Sequence, residues 1–514
     1  MNDSQTKNKH LVVLIHGLWG SFKHMNSMKS VFNEKFGKIH KTDNDLNNIE
    51  ETIFFAPIQN TLFKTFDGIE IIGYRTLVEL CHFVENFHKQ NRDSKITKIS
   101  VVGYSLGGLV ARFVIGKCFT ECKDIFKDIK PFVFITIASP HLGIQFYDKS
   151  KLNSWILNPL KRFLGSTFLG KSGRELFIID SGSREPILVR LCQNEYFYAL
   201  SLFQHRILIA NVKNDRTVAF YTAFITDRDP FIESGNTLRY FFECNIPAED
   251  SYNGTILPRI VDLNRLNFKD KAPTKDEKIL IQQWFLYRII VPIIVIIFIP
   301  FAVVINMCGS LYSYIGTLKY RKLSTKDKQL SAFVKEKIAL SNTIHDFVGD
   351  TCDSIINESA QKNKYMNANE DDLALHKSQN TFVLQGGDED DSEDDGDTTI
   401  SSDLQFLSKQ VPYMTANDVE MWKKFIDKYS HNMDLSEEWL KTFHKLPIDE
   451  NRRKILRNLS KVDWIRVPIY VKSINAHSGV IARRGLNKNT PSTGYAALEF
   501  LGLLIKYLLE TNES

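Results

Sequence analysis

Apolar residues in the first half of this chain recur in two rhythms. Short unbroken runs, Leu11 to Ile15 (LVVLI) and Thr52 to Ala56 (TIFFA, ended by Pro57), have the length and β-branched content of strands buried on both faces. Between about Gly68 and Lys89 the spacing changes: Leu77, Leu80, Val84 and Phe87 stand three or four apart, which predicts a helix with one core-facing side. Further strands are expected at Ile99 to Val102, Phe132 to Ile137, Arg206 to Val212 and Val467 to Val471, and a closing helix at Thr493 to Glu510. Strands alternating with helices predict an α/β fold with a mostly parallel central sheet.

The rhythm breaks between about 226 and 410. That stretch reads as an insertion rather than as more sheet, with an uncharged segment at 289–318 that is apolar throughout from Ile289 to Ile305. It also holds the run DEDDSEDDGD at 388–397, whose self-repulsion and low hydrophobicity oppose a packed core. The organisation expected is therefore a first part of the sheet at 1–225, an insertion at 226–359, an acidic disordered linker at 360–402 and a second part of the sheet at 403–514. Ser392 lies among the acids and reads as part of a solvated linker.

Composition narrows the function classes. An apolar share of 43% over 514 residues is enough for a large core. The formal charge is +5 although the acidic run alone contributes eight negative groups, so the positive excess lies elsewhere and would suit an anionic lipid surface if clustered. Nothing resembles a nucleic-acid module. The 7 cysteines are odd in number and scattered, and MNDSQTKNKH at the N-terminus lacks the apolar core of a secretory signal. A reducing, cytosol-facing environment is expected. Cys118 and Cys122 have helix spacing without a second pair to complete a zinc site, and no metal is expected.

The chemistry is concentrated in KISVVGYSLGGLVARFVIG, where an apolar strand runs through Gly103-Tyr104-Ser105-Leu106-Gly107 directly into an apolar helix. A nucleophile on so sharp a turn needs flanking glycines, because strand and helix must approach closely. With 26 glycines in 514 residues, a bare G-x-S-x-G arises by chance about 0.1 times in such a chain. Upstream, LVVLIHGLWG is a strand followed by His16-Gly17, where such folds place an oxyanion loop, so the backbone N–H groups of Leu18 and Leu106 are the candidate donors. His16 precedes the nucleophile and reads as a loop-shaping residue rather than as the base.

HGLWG, GYSLGGLVAR and ASPHLGI (Ala138 to Ile144), in this order, resemble the fungal family of serine esterases and lipases, whose members include a yeast lipid-droplet phospholipase. The resemblance spans about residues 9–225 and 460–510. It implies an α/β-hydrolase fold, a Ser-Asp-His triad and lipid ester substrates.

In that fold the acid follows the serine and the histidine comes last. Asp215 follows the strand RILIANV and matches the family's acid position, while Asp180 (IIDSGS) and Asp227 (TDRDP) are rivals that follow no comparably clear strand. Asn214 reads as a turn residue. His477 follows the strand in VPIYVKSIN and precedes the closing helix, and HSGV resembles the family pattern around its histidine. Ser105 as nucleophile, His477 as base and Asp215 as its orienting acid then need no cofactor.

The expected activity is hydrolysis of carboxylic esters in phospholipids or acylglycerols at a membrane or lipid-droplet surface. A monoacylglycerol lipase, a soluble esterase or thioesterase, and a catalytically silent membrane-tethered scaffold are the alternatives. The segment 289–318 is long enough for one span, since about 20 apolar residues suffice. Yet one crossing would put Ser105 and Asp215 on one side and His477 on the other. A hairpin or an in-plane helix that enters and leaves on one face, or a buried core helix, avoids that conflict. The monotopic form places the protein on the cytosolic face of the endoplasmic reticulum or on a lipid droplet.

Overall fold

In the computed structural model, residues 7–40, 49–147, 165–180 (except 167), 185–232, 238–243, 258–268, 415–430, 445–486, 490 and 492–511 are described, with isolated positions 158, 162 and 304. The segment 360–402, Ser392 and, apart from position 304, the segment 289–318 lie outside them.

Seven strands form one sheet: β1 (Lys7–Ile15), β2 (Lys38–His40), β3 (Ile49–Phe55), β4 (Ser94–Tyr104), β5 (Lys130–Ile137), β6 (His205–Asn211) and β9 (Ile465–Ile469). Their order is β2-β3-β1-β4-β5-β6-β9, parallel throughout except for the edge strand β2, which runs antiparallel to β3. A separate two-stranded sheet pairs β7 (Leu238–Arg239) with β8 (Asn267–Phe268). The longer helices are α1 (Asn26–Phe36), α2 (Ile69–Gln90), α3 (Leu106–Cys118), α4 (Asn194–Ser201), α5 (Ala416–Ser430), α6 (Glu450–Leu459) and α7 (Ser492–Thr511).

The apolar runs are unbroken because both faces of the sheet are covered. On β1, Leu11, Val13 and Ile15 face one core with residues of α2, α3, α4 and α6. Val12 and Leu14 face the other, formed with α1, α5 and α7. Burying each such side chain stabilises the fold by about 1.5–3 kcal/mol, which is why these strands tolerate almost no polar residue. His10 is an exception, and its Nε2 lies 2.8 Å from the Ser100 hydroxyl on the neighbouring strand.

Helix α7 carries Glu499 and Lys506 within its apolar pattern, and both are buried. Glu499 meets Lys35 of α1 at 2.9 Å, and Lys506 lies 3.7 Å from Glu510 one turn on. Among the described residues, no helix is long and apolar enough to cross a membrane.

The expected strands and the two expected helices are present with boundaries shifted by a few residues. The region after 226 also touches the sheet through an isolated bridge: Val261 donates to the carbonyl of Pro468 at 2.9 Å, and Tyr470 donates to that of Arg259 at 2.8 Å. Residues 259–261 thus cover the edge that β9 would otherwise expose, and an unpaired strand edge is a site for unwanted pairing. Cys81, Cys118, Cys122 and Cys192 are buried free thiols.

Candidate active site

Because six of the seven strands are parallel, the loops that follow them open along one edge of the sheet. Ser105 sits there between β4 and α3, with φ 55° and ψ −127°, a conformation that costs a non-glycine residue energy and persists only where the surroundings enforce it. The surroundings are glycine-thin. A Cβ on Gly107 would lie 2.2 Å from the carbonyl oxygen of Ile15, and one on Gly17 would lie 2.6 Å from Cβ of Ser105. Gly103 likewise meets the backbone of Gly108. The β1 loop and the start of α3 can therefore close on the serine only without side chains at these positions.

His477 lies on the short helical turn Ala476–Gly479 after β9. Its Nε2 is 3.0 Å from the Ser105 hydroxyl and its Nδ1 is 2.9 Å from Oδ2 of Asp215. The network assigns the tautomer: Nδ1–H donates to the carboxylate and Nε2 accepts from the serine. Asp215 follows β6. Its Oδ1 accepts from the backbone N–H groups of Thr217 (3.0 Å) and Val218 (2.8 Å), and its Oδ2 accepts from the Asn211 side-chain amide at 2.8 Å. Burial alone would raise the pKa of this carboxyl, but the adjacent His477 and these donors outweigh it and hold the pKa below the usual range. The carboxylate stays charged where it faces the imidazole.

The rivals lie elsewhere. Asp180 accepts from the backbone N–H of Ile187, at the start of a helical turn. Asp227 pairs with Lys445 at 3.3 Å.

Leu106 opens α3, so its N–H belongs to the first turn, which has no intrahelical acceptor. Leu18 directly follows Gly17, whose backbone lies against Ser105. Neither N–H has an acceptor among the described residues. His16 is buried with Nδ1 3.0 Å from the carbonyl of Gly17, and burial lowers its pKa. Being neutral and turned into its own loop, it shapes the turn that presents Leu18.

Three neighbours were not legible in the sequence. The Tyr104 hydroxyl donates to the carbonyl of His477 at 2.8 Å while its ring lies 5.0 Å, centroid to centroid, from the imidazole. Asn211 restrains the acid, as described above. Asn214, at φ 58°, does more than turn the chain: its side chain donates to the carbonyl of Ser473 at 3.0 Å, and its own carbonyl accepts from Ala476 N–H at 3.1 Å. It ties the loop of the acid to the loop of the histidine. Behind the elbow, Arg112 is fully buried with a guanidinium nitrogen 3.5 Å from His141, whose other ring nitrogen lies 2.9 Å from the Thr136 hydroxyl.

A hydroxyl, an imidazole and a buried carboxylate in a single hydrogen-bonded line can move a proton off the hydroxyl as it attacks an electrophile. Sequence comparison points to the same class of chemistry. The chain is 29% identical over 283 residues to "Putative lipase ROG1" of Saccharomyces cerevisiae, a match covering 52% of this chain and 38% of that protein. It is 28% identical over 219 residues to "Putative lipase YDL109C" of the same yeast, covering 42% of this chain and 30% of the other. It is also 28% identical over 224 residues to "Putative lipase C4A8.10" of Schizosaccharomyces pombe, covering 42% and 26%. The matched stretches thus span well under half the length of each relative. Residues 5–227, which hold β1 through β6 with Ser105 and Asp215, match the family described as "Putative serine esterase (DUF676)".

Proposed function

We propose that this protein is a serine lipase or phospholipase that cleaves carboxylic ester bonds of phospholipids or acylglycerols at a membrane or lipid-droplet surface. The observation that carries the reading is the line Ser105–His477–Asp215, assembled from residues 372 and 262 positions apart. His477 takes the proton of Ser105 as the oxygen attacks the ester carbonyl, and Asp215 orients the imidazole and stabilises its cation. The N–H groups of Leu18 and Leu106 hold the oxyanion, each contributing about 3 kcal/mol of transition-state stabilisation. Collapse expels the alcohol, which receives the proton from His477. Water activated by the same histidine then releases the fatty acid. The reaction as written uses no cofactor.

The lipid surface enters through the uncharged stretch 289–318, which suits a hairpin or in-plane helix with both flanks on the cytosolic side. An enzyme for small soluble esters has no evident use for it.

The test is incubation of purified protein with a panel of phospholipids and mono-, di- and triacylglycerols, scored for released fatty acid, beside a fluorophosphonate probe. Ser105→Ala is expected to lose labelling and hydrolysis while remaining folded, with only about 10³–10⁴ over water surviving. Undiminished lipid hydrolysis in Ser105→Ala would refute the assignment. Labelling without turnover on any lipid or soluble ester would favour the silent scaffold instead.

A further inference from the structure

The two edges of the sheet differ in charge. At the N-terminal ends of the strands, opposite charges alternate and pair: Lys9 with Glu51, Lys98 with Glu50 at 3.1 Å, and Lys95 with Asp128 at 3.6 Å. At the catalytic edge the acids of the strand-following loops are already engaged, Asp67 with Arg75 and Asp215 with His477. The basic residues of those loops are not balanced in this way.

Three loops around the serine share one arrangement, an exposed large apolar side chain with an exposed lysine within four positions. The loop after β1 carries Trp19 (41% exposed) and Lys23, the loop after β3 carries Leu62 (53%) and Lys64, and the loop after β9 carries Ile474 (63%) and Lys472. None of these lysines has an ion-pair partner among the described residues. Hydrogen bonds hold the loops together as one rim. Leu62 N–H donates to the carbonyl of Gly20 at 3.0 Å, Trp19 N–H donates to the Thr65 hydroxyl at 3.0 Å, and Arg483, six residues past His477, donates to the carbonyl of Trp19 at 2.8 Å. Ile474 stands three residues before His477.

Exposed apolar tips cost solvation free energy, and exposed lysines beside them fix what can cover them: a surface that is apolar below and anionic at the headgroup level. We infer that the mouth of the site docks on an anionic phospholipid surface, with Trp19, Leu62 and Ile474 entering the acyl region and Lys23, Lys64 and Lys472 meeting the headgroups. This deepens the lipase reading and rests on it only for what happens after docking. It also assigns contact to the catalytic face itself, independently of 289–318.

The experiment uses the full chain with vesicles of phosphatidylcholine alone, or mixed with phosphatidylserine, each carrying brominated acyl chains that quench tryptophan on contact. With 6 tryptophans present, the signal of the rim is the difference between the wild type and Trp19→Phe. The expected result is quenching on anionic vesicles that Trp19→Phe lacks. In the triple variant Lys23→Gln, Lys64→Gln, Lys472→Gln, this Trp19 component should require vesicle concentrations on the order of 100-fold higher. In Leu62→Ser with Ile474→Ser, the ratio of vesicle hydrolysis to soluble-ester hydrolysis should fall about tenfold or more. Identical quenching in the wild type and Trp19→Phe overturns the proposal, and so does equal quenching on neutral vesicles, which would leave an uncharged surface as the occupant. A chain whose Trp19 docks but which cleaves no ester supports the docking and defeats the lipase reading. A chain that cleaves soluble esters with Trp19 unquenched does the reverse.

Discussion

Replacing Tyr104 by phenylalanine removes one oxygen from beneath His477, the proposed base, and leaves the ring in place. The lost contact is the 2.8 Å hydrogen bond from the hydroxyl to the carbonyl of His477, inside a site where Tyr104 is 3% exposed. A neutral hydrogen bond of this kind contributes about 0.5–1.5 kcal/mol net, and a buried carbonyl left without its donor raises the cost towards about 1–3 kcal/mol. The ring contact with the imidazole, 5.0 Å between centroids, survives. We expect denaturant unfolding to show a loss of about 1–2 kcal/mol. The lost bond restrains the segment that carries the base, so a similar free energy should appear in the chemical step. Since about 1.4 kcal/mol is tenfold in rate, kcat on a soluble ester such as p-nitrophenyl butyrate should fall about five- to thirtyfold, with KM nearly constant. A variant that loses the expected stability yet keeps the wild-type kcat would refute the reasoning, because the bond would then hold the fold without aiming the imidazole.

Three further outcomes follow from the same geometry. Asp215→Asn should lower kcat by several orders of magnitude on the soluble ester, because it favours the wrong imidazole tautomer, whereas Asp227→Asn should be nearly silent; the reverse pattern would mean the acid is misassigned. Gly107→Ala should prevent accumulation of soluble protein, since the new Cβ would lie 2.2 Å from a backbone oxygen of β1; normal expression with full activity would show that the elbow can relax. Glu175 is buried, accepts from Ile69 N–H at 2.6 Å, and has its pKa raised by that burial to about 7. A carboxyl whose folded pKa exceeds its unfolded value lends full stability below the unfolded pKa and loses it as pH rises towards the folded one. Glu175→Gln should therefore flatten the decline in urea stability between about pH 4.5 and 7, and an unchanged decline would show that Glu175 does not cause it.

Much of this architecture is legible in the sequence because the strands are buried on both faces and must be continuously apolar. The edge strand Lys38–His40 escapes such reading, being three residues long with polar ends. Helix α5 falls within the expected second part at 403–514 but is not singled out there, although Trp422, Phe425 and Tyr429 stand three and four apart and all are buried. At the site, Ser105 is visible because its turn demands glycines at fixed offsets, and Asp215 and His477 because strand ends and chain order single them out. Tyr104 and Asn214 have no such signature. Their contacts join residues 373 and 259 positions apart, and no local pattern encodes a partner at that distance.

The separation between acid and base also bears on synthesis. During translation, β1 through β6 with the elbow and the acid leave the ribosome well before the last parallel strand of the sheet, and 262 residues must follow Asp215 before the base is made. The entropy of closing so long a loop grows only with the logarithm of its length, so the finished sheet tolerates the interruption. Pairing across it is slow in comparison with local contacts. On the proposed mechanism, a nascent or truncated chain would present the serine without its imidazole, and hydrolysis would wait until the last strand of the described sheet docks beside β6. On that reading, activity would report that translation has passed His477 and that β9 has joined the sheet.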